Sequence, residues 1–368
     1  MTTWNWQKKD WPDFTFDALE LSKMERDFLY SSGALFAVYQ HLDLPDIESM
    51  RIQIIADEAL KTSEIEGEIL NRDSLQSSIR RNFGLKTDHK KIPPAEQGIA
   101  AMMVDLYKNF SEKLTHEALF QWHKMLMNDR SDLDYIGKYR THKEAMQVVS
   151  NNMYDAQVHF EAPPSSRMKS EMNKFISWFN DSAPNGKSPL PALTRAGIAH
   201  FYFVMIHPFE DGNGRIGRSL AIKALSQSLN QPLLTSLSTI IQKHKKKYYD
   251  TLETNNKNNE ITSYLKYFSE TFLESQDYTR KLIDFLIAKT KLYQACIEFL
   301  NERQEKTLER IFREGIEGFE GGLSAEKYLA ITKTSRATAT RDLQELLELK
   351  VLKKTGEGRW TRYFLNLA

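Results

Sequence analysis

The chain has 368 residues, of which 41% are hydrophobic and 27% are charged, and its 50 basic and 49 acidic residues leave a net charge of +1. This length is sufficient for two or three domains with buried cores. The near-neutral charge excludes a whole-chain electrostatic argument for nucleic-acid binding. The single cysteine, Cys296, excludes a disulfide framework or a cysteine-rich zinc site within one chain.

Aromatic residues are concentrated at the N-terminus: Trp4, Trp6, Trp11, Phe14 and Phe16. Charged residues interrupt this segment, so it lacks the apolar core of a signal peptide, and no stretch of the chain is long enough to cross a membrane. We therefore expect a cytoplasmic protein with no membrane partner. We interpret the aromatic residues as a packing anchor.

The segment Arg51–Asn71 is predicted to form a helix that ends near Gly67. Its apolar residues recur at the spacing of one helix face: Ile54, Ile55, Ala59, Ile65 and Ile69. Taken alone, Glu66 near the end of this helix is best interpreted as a solvated charge.

A short β-hairpin is predicted after the sequence Gly137-Lys138-Tyr139-Arg140. Its partly alternating apolar residues are Val148, Val149, Val158 and Phe160, and Asn151-Asn152 interrupts them as a turn. By itself, such a hairpin is compatible with incidental edge structure.

A buried helix is predicted from Leu193 to Ile206, where small and large apolar residues are mixed and proline is absent. Pro208 should end it, because the proline ring removes a donor and disfavours the helical conformation of the preceding residue. His207 is therefore expected at the end of a helix.

The loop that follows has the composition of a phosphate site. Gly212 and Gly214 can adopt backbone angles closed to other residues, which would turn N–H groups inward before a new helix begins near Arg215. The helix N-terminus and the side chains of Arg215 and Arg218 add positive charge at the same place. Asp211 would repel a polyphosphate unless a divalent cation lay between them, which predicts Mg²⁺.

Simpler interpretations exist for each of these residues separately. A lone histidine before a loop is more often structural than catalytic, and Asn213-Gly214 alone is usually a turn. Turn formation, however, requires neither two arginines nor an acid and a histidine around the same glycines. The combination favours a catalytic site.

A basic run at residues 243–247 precedes Tyr248-Tyr249, and Asn256 lies two helical turns after Tyr249. The basic run is best interpreted as a solvated helix face. A buried aromatic is the simplest interpretation of Tyr249.

The C-terminal residues 324–364 resemble a winged helix-turn-helix: a helix at Ser324–Ile331, a second opening at Ser335 and two strands within Val351–Phe364. This segment has nine basic and five acidic residues, an excess of four positive charges. Candidate major-groove contacts are Arg336, Thr338, Thr340 and Arg341, and candidate phosphate contacts are Lys353, Lys354 and Arg359. Winged helices also serve as protein-docking or dimerising modules, so DNA, another protein and a homodimer are all open.

The segment 207–218, His-Pro-Phe-Glu-Asp-Gly-Asn-Gly-Arg-Ile-Gly-Arg, resembles the signature of the Fic family at every specified position. The resemblance implies a helical enzyme that transfers the AMP part of ATP to a hydroxyl side chain of a target protein. It implies that His207 is the general base, that Asp211 holds Mg²⁺ between the α and β phosphates, and that Phe209 points into the core. It assigns the phosphates to Gly212, Asn213, Gly214 and Arg215, with Arg218 at the γ-phosphate.

The resemblance extends beyond this segment. Thr62, Glu66 and Gly67 are similar to the inhibitory helix of many Fic proteins, in which the glutamate pairs with the second motif arginine, here Arg218. It further implies a flap at the predicted hairpin that docks the target by strand addition, adenine and ribose contacts from Tyr249 and Asn256, and an N-terminal domain often found ahead of bacterial Fic cores.

We therefore expect a mainly α-helical protein with an N-terminal region at 1–95 that contains the inhibitory helix at about 52–67. A Fic core with a hairpin flap is expected at 96–275, and a linker helix and winged helix-turn-helix at 276–368. The expected function is autoinhibited adenylyl transfer to a protein. The alternatives are removal of AMP by the same site, phosphate transfer from ATP, which Gly214 disfavours, and a nucleotide-sensing transcription regulator, which His207 and Asp211 disfavour.

Overall fold

Helices dominate the structure, a computed structural model that describes residues 3–40, 44–87, 91–149, 158–316 and 318–367. The predicted mainly α fold class is confirmed. The chain divides into two units, one made of Met1–Leu42 and Arg51–Asp277 and the other of Asp43–Met50 and Tyr278–Ala368. The division after Asp277 lies close to the boundary proposed at residue 275, whereas residues 1–95 and 96–275 share the first unit apart from Asp43–Met50.

The described elements follow one another in chain order: α1 (Ala18–Gln40), α2 (Leu44–Ile65), α3 (Arg72–Asn82), α4 (Pro94–Lys108), α5 (His116–Leu126), β1 (Gln147–Val149), β2 (Val158–Glu161), α6 (Met168–Asp181), α7 (Ala192–Ile206), α8 (Asn213–Leu229), α9 (Leu237–Lys243), α10 (Lys245–Asn255), α11 (Thr262–Cys296), α12 (Glu302–Arg313), α13 (Ala325–Thr332), α14 (Arg336–Glu348), β3 (Leu352–Thr355) and β4 (Arg362–Leu365). Among these described helices, none combines the length and the apolar character needed to cross a membrane.

The core of the first unit is built around α7, every residue of which is buried. The helix packs along α8, which places the loop between them at the edge of the core. Burying a large aromatic side chain removes about 150 to 250 Å² from water, and the aromatic residues of α7 are fully buried: Phe201, Tyr202 and Phe203.

The N-terminal aromatics pack against this core, as predicted. Trp11 is 7% exposed and meets the ring of Tyr202 edge to face at 5.3 Å. Trp4 is equally buried and meets Phe160 of β2 at 5.4 Å. The N-terminal segment therefore supports both α7 and the hairpin.

The predicted hairpin is confirmed as an antiparallel pair in which Val148 lies opposite Phe160. Phe160 is buried, whereas Val148, Val149 and Val158 are exposed. In a regular strand, successive side chains point to opposite faces. The register of this pair shifts between Val148 and Val149, so regular alternation accounts only in part for which side chains are buried and which are exposed. The predicted turn at Asn151-Asn152 lies outside the described residues.

In the second unit, α13, α14 and the antiparallel pair β3–β4 follow the order predicted for a winged helix-turn-helix. Ser335 caps α14 by accepting a hydrogen bond from the Thr338 N–H. The buried carboxylate of Asp342 on this helix accepts hydrogen bonds from Arg303 of α12 and from the Tyr328 hydroxyl of α13. One buried acid thus ties α12, α13 and α14 together.

Candidate active site

The candidate site is built on the junction between α7 and α8. The predicted helix Leu193–Ile206 is confirmed, and His207 follows it in the left-handed conformation with φ 50° and ψ 60°. Its N–H donates to the Phe203 carbonyl at 3.0 Å, which ends the helical bonding immediately before Pro208. The histidine is therefore displayed at a fixed turn rather than along the helix.

The imidazole of His207 is only partly exposed, with Nδ1 3.3 Å from the carbonyl oxygen of Val204. Burial and the neighbouring Arg140 guanidinium lower the pKa of His207 to about 4, although the carboxylates of Glu66 and Asp211 oppose that shift. At neutral pH the ring is uncharged. If Nδ1 carries the proton shared with Val204, Nε2 is free to accept one.

The loop between the helices has the backbone features on which the predicted anion site depends. Gly212 is left-handed, with φ 80°, and helix α8 begins at Asn213, two residues before the predicted start at Arg215. The first hydrogen bond of this helix joins the Ile216 N–H to the Gly212 carbonyl. The N–H groups of the residues before Ile216 therefore project from the N-terminal end of the helix, as an anion site requires.

The structure corrects two expectations, one for Gly214 and one for Asn213. Gly214 lies inside α8 and does not adopt a left-handed backbone; its lack of a side chain matters because a Cβ there would lie 2.1 Å from Glu66 Oε1. The Asn213 side chain is expected on a phosphate, yet it both accepts from and donates to the Phe209 backbone, at 2.9 and 2.8 Å. Asn213 therefore holds the loop closed, and its backbone N–H is the group left to meet an anion.

Arg218 is fully buried and joins the site to α2. Its Nη2 donates to Glu66 Oε1 at 2.7 Å and its Nε donates to the Thr62 hydroxyl at 2.7 Å. The predicted pairing of Glu66 with Arg218 is present. Helix α2 ends at Ile65 rather than Gly67, and it begins at Leu44, before the predicted start at residue 52.

Arg215 is the second buried guanidinium of the site, with 5% of its side chain exposed. Its Nη1 donates to Glu68 Oε2 at 2.7 Å, and its Nη2 lies 3.8 Å from Asp211 Oδ1. Arg215 Nε and Arg218 Nη1 have no hydrogen-bond partner within the described part of the chain. Both arginines therefore retain a buried donor for another acceptor.

Asp211 is the carboxylate predicted to hold Mg²⁺. One oxygen accepts from the Gly212 N–H at 2.6 Å and the other from Arg130 Nη1 at 2.6 Å. Burial would raise the pKa of Asp211, but Arg215, the Gly212 amide and Arg130 outweigh it and hold the pKa below its usual range. The carboxylate is thus held in its ionised form.

The described residues contain no group of three or more His, Cys, Asp or Glu side chains placed to hold a metal. A cation at Asp211 would therefore take its other ligands from nucleotide phosphates and water. Mg²⁺ is usually bound in this way, through one or two carboxylates together with substrate phosphates. The donor set fits the predicted ion.

Three site residues were not identified from the sequence. Arg130 pairs with Asp211, as described above. Arg140 donates to the His207 carbonyl through Nε at 2.8 Å. His123 stacks on Phe209 with ring centroids 4.2 Å apart and has its Nε2 3.2 Å from the Asp211 carbonyl. Phe209 itself is fully buried, as expected. The sequence Gly137-Lys138-Tyr139-Arg140 was a signal for Arg140, but nothing near Arg130 or His123 indicated a role.

The predicted nucleoside contacts lie on and just after α10. Tyr249 is 40% exposed, so it is not the buried aromatic of the simpler interpretation. Burial and the Glu66 carboxylate raise its pKa to about 12, an effect that Arg218 opposes, which places its hydroxyl within electrostatic range of both. Asn256 is buried and donates through Nδ2 to the His159 carbonyl of β2 at 2.9 Å. Asn256 thus joins the hairpin to α10, while its Oδ1 has no partner among the described residues.

Two family models match this chain. Residues 113–225 match the Fic/DOC family, and residues 4–85 match a family described as a domain of unknown function, DUF4172.

A protein adenylyltransferase Fic of Aedes aegypti is 36% identical over 100 residues, which cover 27% of this chain and 18% of the relative. A protein adenylyltransferase Fic of Nematostella vectensis is 25% identical over 183 residues, covering 50% of this chain and 36% of the relative. The chain therefore spans well under half the length of these curated relatives.

Solved structures share the fold. A Fic family protein from Desulfovibrio desulfuricans G20 matches with a TM-score of 0.53 at 20% identity, covering 96% of this chain and 98% of that one. Fic-1 of C. elegans, residues 134–508, matches with a TM-score of 0.51 at 20% identity, covering 71% and 73%. The residues that build the α7–α8 site thus lie within the segment that matches the Fic/DOC family, and solved Fic proteins share the fold of this chain.

Proposed function

We propose that this chain is a protein adenylyltransferase that transfers the AMP part of ATP to a Ser, Thr or Tyr hydroxyl of a target protein, itself included. The observation that carries the proposal is the position of a neutral imidazole, His207, beside a helix N-terminus and two buried arginines, Arg215 and Arg218. The curated relatives named protein adenylyltransferase support the same activity.

In the proposed reaction, the target hydroxyl oxygen attacks the α-phosphorus of ATP and its proton passes to Nε2 of His207. A new phosphorus–oxygen bond forms, the bond from the α-phosphorus to the bridging oxygen breaks, and pyrophosphate leaves. The N–H groups at the start of α8 would stabilise the charge that develops on the phosphate oxygens. Arg215 and Arg218 would hold the remaining phosphates. An exposed edge of the hairpin would align the target segment by strand addition.

A magnesium ion would be held by Asp211 and the nucleotide phosphates. When bound, it would neutralise part of the negative charge on those phosphates. Arg215 and the Gly212 amide would keep the Asp211 carboxylate ionised. The Asp211 oxygen that accepts from Arg130 would give up this hydrogen bond to bind the ion.

We further propose that Glu66 inhibits the site by competing with ATP for Arg218. The carboxylate pair is charge-assisted and partly buried, which makes it strong. We expect Glu66→Gly to raise self-labelling by ATP that carries a labelled α-phosphorus. The same substitution at Glu64, which pairs with Lys61 instead, is the control. Unchanged or lower labelling of the Glu66 variant would count against inhibition by this residue.

Two related reactions at the same site are separated by the position of the label. Phosphate transfer would mark protein from ATP labelled at the γ-phosphorus, whereas adenylyl transfer marks it only from the α-phosphorus. Removal of AMP would appear as loss of label from a modified protein when the wild-type chain, with Glu66 in place, is added. We favour adenylyl transfer, since Gly214 leaves the phosphate site unobstructed by a side chain.

A second candidate function concerns the C-terminal unit, for which we propose duplex DNA as the partner. Arg336, Thr340 and Arg341 are exposed on α14, and Lys353 and Lys354 are exposed on β3. These positions suit base-edge and phosphate contacts of a winged helix. Thr338 is only half-exposed and hydrogen-bonds to Ser335, so it is the weakest of the proposed base contacts.

The full chain should then be retained on duplex DNA with a steep salt dependence, and Arg336→Ala with Arg341→Ala should weaken retention. If the chain does not bind at low salt, DNA is excluded as the partner. A doubled mass in solution would favour the dimerising alternative for this unit.

A further inference from the structure

A second carboxylate, that of Glu68 just after α2, pairs with Arg215, the other buried arginine of the site. Glu68 Oε2 accepts a hydrogen bond from Arg215 Nη1 at 2.7 Å, next to the bond between Glu66 and Arg218 of the same length. The Glu68 side chain is 36% exposed, whereas the side chain of Arg215 is only 5% exposed. The carboxylate thus reaches from the surface onto a buried cation.

The backbone at the end of α2 accounts for this pairing. The Gly67 N–H donates to the Glu64 carbonyl and the Glu68 N–H donates to the Ser63 carbonyl, each at 3.0 Å. These two bonds, with Gly67 left-handed at φ 87°, are the Schellman termination of a helix. The reversal of the chain at Gly67 lets the residue before it and the residue after it both contact α8. Glycine is favoured there because a side chain would strain the left-handed backbone.

The two arginines are three residues apart within the first two turns of α8, which places them on one face of the helix. Each has a carboxylate bound, and each still has one buried N–H group without a partner in the described part of the chain, Arg215 Nε and Arg218 Nη1. Buried donors without acceptors are costly. They point to an anion with more oxygens than one carboxylate supplies to each arginine.

We infer that Glu68 is a second inhibitory carboxylate, which competes with the nucleotide for Arg215 as Glu66 competes for Arg218. This inference rests on the proposed nucleotide-binding function of the site. It implies that the two negative charges stand in for two phosphate groups of ATP. Removal of Glu66 alone then leaves half of the competition in place. A signal that disrupts the turn at Gly67 would release both carboxylates together.

The test is direct measurement of ATP affinity by calorimetry, in a chain carrying His207→Ala so that no transfer occurs during the titration. Glu68→Gln, Glu66→Gln and the double variant are compared with Glu64→Gln, a neighbouring acid that pairs with Lys61. Because each variant removes a charged acceptor that competes with the nucleotide for one arginine, we expect each single variant to bind ATP about tenfold more tightly. The double variant should bind more tightly than either, and the control should not change.

The inference is overturned if Glu68→Gln leaves ATP affinity unchanged both alone and together with Glu66→Gln. Glu68→Ala, checked for folding by thermal unfolding, repeats the measurement without a side-chain amide that could still accept from Arg215. Self-labelling with His207 restored separates this result from the proposed function. Tighter ATP binding without label would contradict adenylyl transfer and support competition by Glu68. Labelling by Glu66→Gly, with no effect of Glu68→Gln on ATP affinity, would support adenylyl transfer and contradict competition by Glu68.

Discussion

The guanidinium of Arg140 donates a 2.8 Å hydrogen bond to the carbonyl oxygen of His207, a residue 67 positions further along the chain. It also donates to the Ser165 hydroxyl and to the Pro163 carbonyl, both just after β2. Arg140 is 1% exposed and lies at the C-terminal end of α7, where a positive charge is favoured. It therefore fixes the turn at His207 relative to the hairpin and places a charge beside the imidazole.

We expect Arg140→Met to shift the acidic limit of self-labelling to higher pH, measured in a chain that carries Glu66→Gly. His207 must be neutral to accept a proton, and its pKa of about 4 keeps it neutral well below pH 7. Burial is the main cause of that low pKa and remains in the variant, while the repulsion from Arg140 is lost. The pKa should therefore rise and the activity should fall off earlier as the solution becomes more acidic.

Arg195→Met is the matched control for this shift, because Arg195 is also fully buried and donates to helix carbonyls, those of Phe179 and Ala224. It should lower stability without moving the acidic limit. Equal loss of activity at every pH in the Arg140 variant would show that this arginine acts only through the fold.

We expect His207→Ala to reduce labelling from α-labelled ATP by about 10² to 10⁴-fold, the usual effect of removing a general base. ATP affinity should change little, because the phosphate contacts come from α8. His244→Ala, at an exposed histidine between α9 and α10, should retain full labelling. Normal labelling by the His207 variant would exclude it as the base.

Gly214→Ala tests how closely α2 approaches α8. The added Cβ would lie 2.1 Å from Glu66 Oε1, so the carboxylate must shift and its bond to Arg218 must weaken. In a chain with Glu66→Gly that conflict is absent. Chemical denaturation should therefore give a coupling of about 1 kcal/mol between the two positions. Gly217→Ala, whose Cβ would meet Val204 rather than Glu66, should show no coupling.

Arg130→Ala should strengthen binding of a divalent cation to the complex with ATP, because the Asp211 oxygen that Arg130 occupies is then open. The pair is partly exposed, so the gain should be at most about fivefold. Electron paramagnetic resonance of bound Mn²⁺ measures this without turnover. Asp211→Asn should lose the site, and weaker binding to the Arg130 variant would contradict a competing role for Arg130.

The sequence was informative where function depends on neighbouring residues. Local backbone chemistry sets three features that are present in the structure: the helix end before Pro208, the left-handed Gly212, and the position of Arg215 and Arg218 on one face of α8. The same holds for the end of α2 near Gly67 and for the elements of the C-terminal unit. Only the resemblance to Fic proteins indicated that Glu66 meets Arg218, since 152 residues separate them.

Contacts between distant segments required the tertiary structure. Arg130, His123 and Arg140 reach the motif from 67 to 88 residues away, and no periodicity or local preference encodes such distances. The pairing of Glu68 with Arg215 belongs to the same class. Composition and local pattern determined which short segments form helices and turns, including the turn at Gly212 that we propose binds phosphate. Packing decided which buried charged side chains pair at this site. A buried charge is costly without a partner, and its partner is brought to it only when distant helices pack together.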